Sequence, residues 1–436
     1  MTSRIYSALR TVDSIWFRQL PAHWHCNPIK FCARLVTKSA LAKSRPIALE
    51  NIEGWTGKLI ETATLFEGDG IAFESGDLLF GKLRPYLAKV YRADAPGEAV
   101  GDFFVLRPDA RLDSRFLQYA LLAKDLIVAV NVSTYGSKMP RVGWEFMRDV
   151  AVPMPPKGEQ LSVVAFLDRE TTRIDALIKK KSRFIELLRE KRQALVTRAV
   201  SGGLGPTVPM NESGVEWLGK VPSHWQVKPL KLLVKPGTSV TYGIVQPGDA
   251  LTKGVPFVQT TNMTKGDFDL DRLQRTTPEI EAGYPRSRLV GGEVILGIRA
   301  SIGAAHIVPP ELNGANLSRG VARIDCNEML SPGYFLQYLR SHCVQSYWEL
   351  ARQGSTFNEV SIDTVRQLPV PVPPIDEQVA ITSTIAARTN VLDRIVTASK
   401  ASLVLLTERR AALITAVVTG QIDVRAEQSS ASLEPA

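Results

Sequence analysis

Two stretches of the chain carry an apolar residue at alternating steps of four and three. The first reads Leu167, Thr171, Ile174, Ile178, Lys181, Ile185, Leu188, Arg192, Leu195, Ala199, and the second Ile385, Thr389, Leu392, Val396, Ser399, Leu403, Leu406, Arg410, Leu413, Val417. Seven of ten positions are apolar in each, and the polar exceptions fall at the same three steps. A sustained 3.5-residue repeat is the seam of a coiled coil, and two such seams in one chain are expected to pack together. Both stretches are entered through a Pro-Pro pair (155–156, 373–374), carry an acid in the first turn (Glu159, Glu377) and leave at glycine (Gly202-Gly203, Gly420). Those are start and stop signals of helices. At 1.5 Å per residue, roughly 40 residues make about 60 Å of helix, too long to pack on one small domain alone. Arg192 and Arg410 are the candidates for setting the register.

Elsewhere the pattern shortens to β-type runs such as Asp77–Phe80, Phe103–Leu106, Glu293–Leu296 and Gly320–Ile324, followed by helical patches near 114–130 and 333–351. Each such region reads as a compact mixed α/β domain of about 150 residues. The expected organisation is a first domain over 12–155, a long helix over 156–203, a linker over 204–214, a second domain over 215–373, a second long helix over 374–421 and a disordered tail over 422–436.

The two halves are copies. Trp16, Pro21, His23, Trp24, Pro28 and Lys30 recur as Trp217, Pro222, His224, Trp225, Pro229 and Lys231, an offset of 201 residues. Gly76-Asp-Leu-Leu-Phe-Gly81 returns as Gly292-Glu-Val-Ile-Leu-Gly297, and Phe116-Leu-Gln-Tyr119 as Phe335-Leu-Gln-Tyr338. Val152-Pro-Met-Pro-Pro-Lys-Gly-Glu-Gln160 returns as Val370-Pro-Val-Pro-Pro-Ile-Asp-Glu-Gln378, by which point the offset has grown to 218. The repeated Pro-x-His-Trp element reads as structural, a Trp packed beneath its domain with a hydrogen-bonded His. Gln226 replaces His25 in the second copy, which argues against a His-x-His metal site.

Composition narrows the function. The chain has 436 residues, 44% hydrophobic and 22% charged, which excludes a disordered chain. Met1–Arg18 lacks a signal peptide's apolar stretch and no apolar run reaches the roughly 20 residues of a membrane span, so a cytoplasmic protein is expected. Cys26, Cys32, Cys326 and Cys343 show no CxxC spacing and fit reduced thiols better than disulfides or zinc. The net charge of +9 invites nucleic acid without proving it. There is no phosphate-binding GxxxxGK[ST] loop, no dinucleotide turn, no GxSxG and no HExxH. Five histidines leave little for acid–base work. Binding is the default reading, and no catalytic, metal or cofactor site is expected on this chain.

Taken together these motifs resemble the specificity subunit of type I restriction–modification systems, HsdS. The resemblance rests on Leu20-Pro21-Ala-His23-Trp24 and its copy, on Gly76-Asp-Leu-Leu-Phe-Gly-Lys-Leu-Arg-Pro85, on Gly136-Ser-Lys-Met-Pro-Arg141 and Gly354-Ser-Thr-Phe-Asn-Glu359, and on the twin proline blocks. It covers nearly the whole chain. It implies an α+β fold: two tandem target-recognition domains separated by two long antiparallel helices forming an intramolecular coiled coil. It further implies that each domain reads one half of an asymmetric bipartite DNA target. The helices would scaffold two modification (methyltransferase) subunits and the restriction (motor and nuclease) subunits, a system of phage defence. S-adenosylmethionine, ATP and magnesium would sit on those partners.

Base reading needs bidentate side chains in the major groove, and phosphate contacts fix the register. The candidates are Lys82, Arg84, Tyr135, Ser137, Lys138 and Arg141 in the first domain, and Gln259, Thr260, Asn262, Lys265, Arg299, Ser355, Thr356 and Asn358 in the second. Lys82 and Arg84 are expected on phosphates, and Asn262 and Asn358 on adenine. One departure stands out: the second copy reads Gly297-Ile-Arg299-Ala-Ser301 where the first reads Gly81-Lys82-Leu-Arg84-Pro85. The half-sites are expected about one duplex turn apart, roughly 34 Å. A DNA-binding adaptor for another nuclease or methyltransferase, and a coiled-coil scaffold that does not bind DNA, are the alternatives.

Overall fold

The computed structural model describes residues 5–40, 45–60, 70–205, 207–263, 272–352 and 359–425. It packs as two units, one of Met1–Ser182 with Lys400–Ala436 and one of Arg183–Ser399. The two long helices are unbroken, Lys157–Gly202 and Ile375–Val418, so each gives its first part to one unit and its last part to the other.

In the first unit a four-stranded antiparallel sheet has the order Ala33–Val36, Phe103–Pro108, Leu78–Gly81, Val90–Arg92. Its two central strands are apolar at successive positions, and Leu78, Leu79, Phe80 and Phe103–Leu106 are all buried. A strand covered on both faces loses the period-two alternation. A second sheet orders Pro46–Ile47, Gly97–Val100, Gly70–Phe73, with one parallel and one antiparallel pair. Helices Ser114–Leu121 and Lys124–Val132 follow; Asp113 caps the first by accepting from Arg115 N and Phe116 N.

The second unit repeats the plan. Its four strands run Thr241–Tyr242, Val321–Ile324, Val294–Gly297, Ala305–Ile307, its three Gln274–Thr276, Val255–Val258, Asn316–Leu317, and its helices are Pro332–Leu339 and His342–Arg352. The repeated Gly-acid pair is a turn whose acid points inward. Buried Asp77 accepts from Glu74 N (2.8 Å) and takes both prongs of Arg107 (2.7 Å each); Glu293 accepts from Val290 N (3.0 Å) and pairs with Arg323.

The two longest repeated motifs meet each other. Trp24 is fully buried; its Nε1 donates to Glu159 Oε2 (2.9 Å), and His23 Nε2 lies 2.7 Å from Oε1 of the same carboxylate. Trp225 and His224 hold Glu377 in the same way (3.1 and 2.8 Å). The next residue does the opposite job. Gln160, buried, accepts from Asp113 N and donates to the carbonyls of Arg111 and Pro155 (2.7–2.9 Å). Gln378 accepts from Ser331 N and donates to Met329 and Pro373. The Glu-Gln pair therefore fastens the start of each long helix to the N-terminal loop and to the helical layer at once.

Within the first unit the two long helices run antiparallel. Val163, Phe166 and Leu167 share a core with Ile414, Val417 and Val418, and Arg410 Nε donates to Asp175 Oδ1 at 2.8 Å. In the second unit Val196, Ala199 and Val200 share a core with Ile381 and Ile385, and Arg192 Nε donates to Asp393 at 3.1 Å. All twenty seam positions are buried or half-buried, whereas Leu177, Phe184 and Leu187, off the seam, are exposed. Gly420 ends the second helix at φ +68°, where a Cβ would lie 2.3 Å from Pro21, so a side chain there would push this end off the first Pro-x-His-Trp element.

Three boundaries differ from expectation. Met210–Glu212, placed in the linker, pairs as a strand with Lys220–Pro222, because the chain must return to the second Trp element. The first unit begins before residue 12, since Leu9–Thr11 pairs with Gln19–Pro21. The start of the tail is ordered: Val424 is buried and Arg425 lies over the Tyr6 ring at 4.6 Å, while 426–436 fall outside the described residues. Burial pushes the thiols of Cys32 and Cys326 up to about 12. No helix among the described residues is long and apolar enough to cross a membrane.

Candidate nucleic-acid interface

In the first unit the strand Leu78–Gly81 runs out into Lys82–Arg84 at the end where Phe103 begins its neighbour. There the chain is crossed by the 135–142 loop. Arg84 N donates to Pro140 O (2.7 Å), Val142 N to Lys82 O (3.0 Å), and Tyr135 and Arg141 exchange both backbone bonds at 3.0 Å. Five of the six first-domain candidates, Lys82, Arg84, Tyr135, Lys138 and Arg141, thus share one loop cluster, with Ser137 exposed on the same turn.

They are not equivalent. Asp102 takes Arg141 at 2.8 Å and lies 3.7 Å from Lys82 Nζ, so those two charges are largely answered within the protein. The Asp102 carboxylate also raises the Arg141 pKa above its ordinary value through that hydrogen bond. The exposed Arg84 and Lys138 make no side-chain hydrogen bond or ion pair among the described residues. Arg84 stands in the left-handed region (φ 49°, ψ 61°), a conformation that costs a non-glycine residue about 1–2 kcal/mol. Two backbone bonds hold it there, from its own N to Pro140 and from Leu87 N to its carbonyl.

The second unit reproduces this backbone and changes its side chains. Ile298 N donates to Gly320 O as Lys82 N does to Asp102 O, and Val360 N donates to Ile298 O as Val142 N does to Lys82 O. The strained position recurs at Ala300 (φ 55°), so methyl stands where the first unit presents guanidinium. The ion pair is reversed across the turn: Arg299 now supplies the base and Glu359 the acid (2.5 Å). Thr260 and the Arg299 stem crowd Gly320, which places both at this edge.

Two second-domain candidates have local duties. Asn262 Oδ1 accepts from Gln259 N (2.9 Å), closing a turn, and Gln259 Nε2 donates to Gln274 (3.1 Å). Lys265, Ser355, Thr356 and Asn358 lie outside the described residues. Sequence reasoning missed Arg319, which is exposed beside Gly320 and makes no side-chain bond or ion pair among the described residues, and Tyr242, exposed on the edge strand. The repeat hid Arg319, whose counterpart before Phe103 is Gly101. No group of three or more potential metal ligands occurs among the described residues.

Residues 237–403 match the family model described as the type I restriction modification DNA specificity domain. The chain is 25% identical over 275 residues to the type I restriction enzyme EcoBI specificity subunit of Escherichia coli, covering 62% of this chain and 57% of that one. It thus spans little more than half the length of that relative. A chain from a structure describing complex assembly and conformational transition of the type I R-M system superposes with a TM-score of 0.74 at 17% identity, covering 92% of this chain and 99% of that one. The HsdS subunit of Thermoanaerobacter tengcongensis gives 0.54 at 16% identity, covering 94% and 100%. At these identities the two structures speak to the fold.

Proposed function

We propose that this chain is a member of the specificity-subunit (HsdS) family of type I restriction–modification systems and that it selects the DNA sequence on which partner subunits act, a reading supported by the DNA specificity domain matched over residues 237–403. Each unit reads one half of an interrupted, asymmetric target through its strand-end edge. The observation that carries this reading is the repetition of one strained, cross-braced turn in both units with different side chains, Arg84 in one and Ala300 in the other. A shared frame with unlike contacts is what two unlike half-sites require. The long helices hold the modification subunits, and restriction subunits join that assembly. Methyl transfer with S-adenosylmethionine and ATP-driven cleavage with magnesium take place on those partners, in the cytoplasm, as part of a defence against foreign DNA.

The division among the cations makes the reading testable. Arg84 and Lys138 contact phosphates, whereas Lys82 and Arg141 mainly brace the loop. Arg84→Glu with Lys138→Glu should weaken binding to cognate and random duplexes alike. It should also flatten the salt dependence by about 0.9 logarithmic units per phosphate lost. Lys82→Gln should change the slope by less than half of one such step. Fluorescence anisotropy across a salt series measures both. Equal slopes in wild type and the double variant would overturn the assignment of this edge to DNA.

A further inference from the structure

The Tyr135–Arg141 tip carries features that phosphate contact leaves unused. Met139 is 50% exposed and Tyr135 65% exposed, at the end of a loop whose other tip residues are Gly136, Ser137, Lys138 and Pro140. A lone exposed apolar side chain is ordinary, but two large ones gathered on one tip form a patch of the kind that marks a contact. The stem beneath them is stiff. Tyr135 and Arg141 are bonded in both directions, Pro140 O is bonded by Arg84 N, and the Arg141 side chain is tied to Asp102. Gly136 at φ +90° makes the turn that a side chain would strain.

We propose that this tip is a wedge: Met139 enters a base step in the half-site read by the first unit and unstacks it, with Lys138 and Arg84 on the flanking phosphates. The inference rests on the DNA-reading function proposed above. Methionine and proline between base steps pry a duplex open because they fill the gap without competing for hydrogen bonds. Cations on both sides supply the attraction that offsets unstacking. Tyr135, on the same tip, offers an aromatic face on which the freed base can lie. A pre-braced loop transmits the strain to DNA instead of yielding itself.

The test uses the full-length chain with its co-purifying subunits and duplexes carrying the modified motif mapped in host DNA. 2-Aminopurine is placed singly at each position of both halves, since its fluorescence rises when stacking is lost. The wedge predicts a several-fold rise at one or two adjacent positions of one half only. Met139→Ala should abolish the rise while affinity for the motif falls less than tenfold, and Met139→Leu should keep it. Binding with no brightening at any position, or equal brightening with Met139→Ala, overturns the wedge and leaves DNA reading intact. Failure to prefer the motif duplex over a random one overturns the function on which the wedge rests.

Discussion

Residues 1–205 on their own should form a dimer. Cutting there removes Ile414, Val417 and Val418, which complete the first unit's core, and leaves that seat open to water. The fragment carries its own replacement. In the second unit Val196, Ala199 and Val200 do what those three residues do in the first. Arg192 meets Asp393 as Arg410 meets Asp175, and Thr197 Oγ1 accepts from His342 N as Thr415 Oγ1 accepts from Lys124 N. The last turns of the first helix from one copy can therefore occupy the seat on another copy, with Arg192 on Asp175. The substitutes are three carbons smaller, Val for Ile and Ala for Val, which weakens each seat by about 2–3 kcal/mol at about 0.8 kcal/mol per buried methylene. The first helix holds eleven basic against six acidic residues, so the dimer should tighten as salt screens their repulsion. Val196→Ile with Ala199→Val should tighten it further. Arg192→Ala removes two largely buried charged hydrogen bonds per dimer, each worth about 1.5–3 kcal/mol, and should raise Kd on the order of 10² to 10⁴. Sedimentation across a salt series measures all of these. A monomer at every salt concentration would show that the two helix ends are not interchangeable.

Gln160→Leu should strongly destabilise the first unit although it leaves the side-chain volume almost unchanged. The side chain has about the right volume but no polar atoms, so Asp113 N and the Arg111 and Pro155 carbonyls each lose a buried partner. An unsatisfied buried backbone group costs about 1–3 kcal/mol, and the sum should reach about 3 kcal/mol or more. For a unit of roughly 200 residues that lowers Tm by about 6–12 °C. Gln378→Leu should do the same to the second unit, whereas Lys157→Ala, an exposed change one turn away, should stay within about 0.5 kcal/mol. Calorimetry distinguishes the three, and a Gln160→Leu protein melting within 2 °C of wild type would remove the Glu-Gln pair from its fastening role.

Much of this architecture is written where a single period rules. The seam was readable to the residue because every fourth and third position must avoid water, and the polar exceptions were readable as exceptions because they recur. That Arg192 and Arg410 find acids on the facing helix was not readable, since Asp175 and Asp393 lie off the seam and look like any surface acid. The duplication pointed to the Trp and Glu-Gln elements but not to their meeting, which needs the fold to bring residues 24 and 159 together. At the interface the sequence favoured Lys82 as strongly as Arg84. Only the position of Asp102, twenty residues along in the turn just before a neighbouring strand, separates an occupied cation from a free one. The linker failed for a related reason: Met210–Glu212 has no apolar pattern of its own and becomes a strand because Lys220–Pro222 is there to pair with it.

The central claim is that two similar frames with dissimilar side chains read two dissimilar half-sites. Mapping modified bases in the host genome, with this gene intact and with it deleted, tests that claim most directly. The account predicts an interrupted, non-palindromic motif that vanishes on deletion and whose one half alone degenerates when Arg319 and Thr260 of the second unit are replaced by alanine. A continuous or palindromic motif, or a motif unchanged by the deletion, would contradict it.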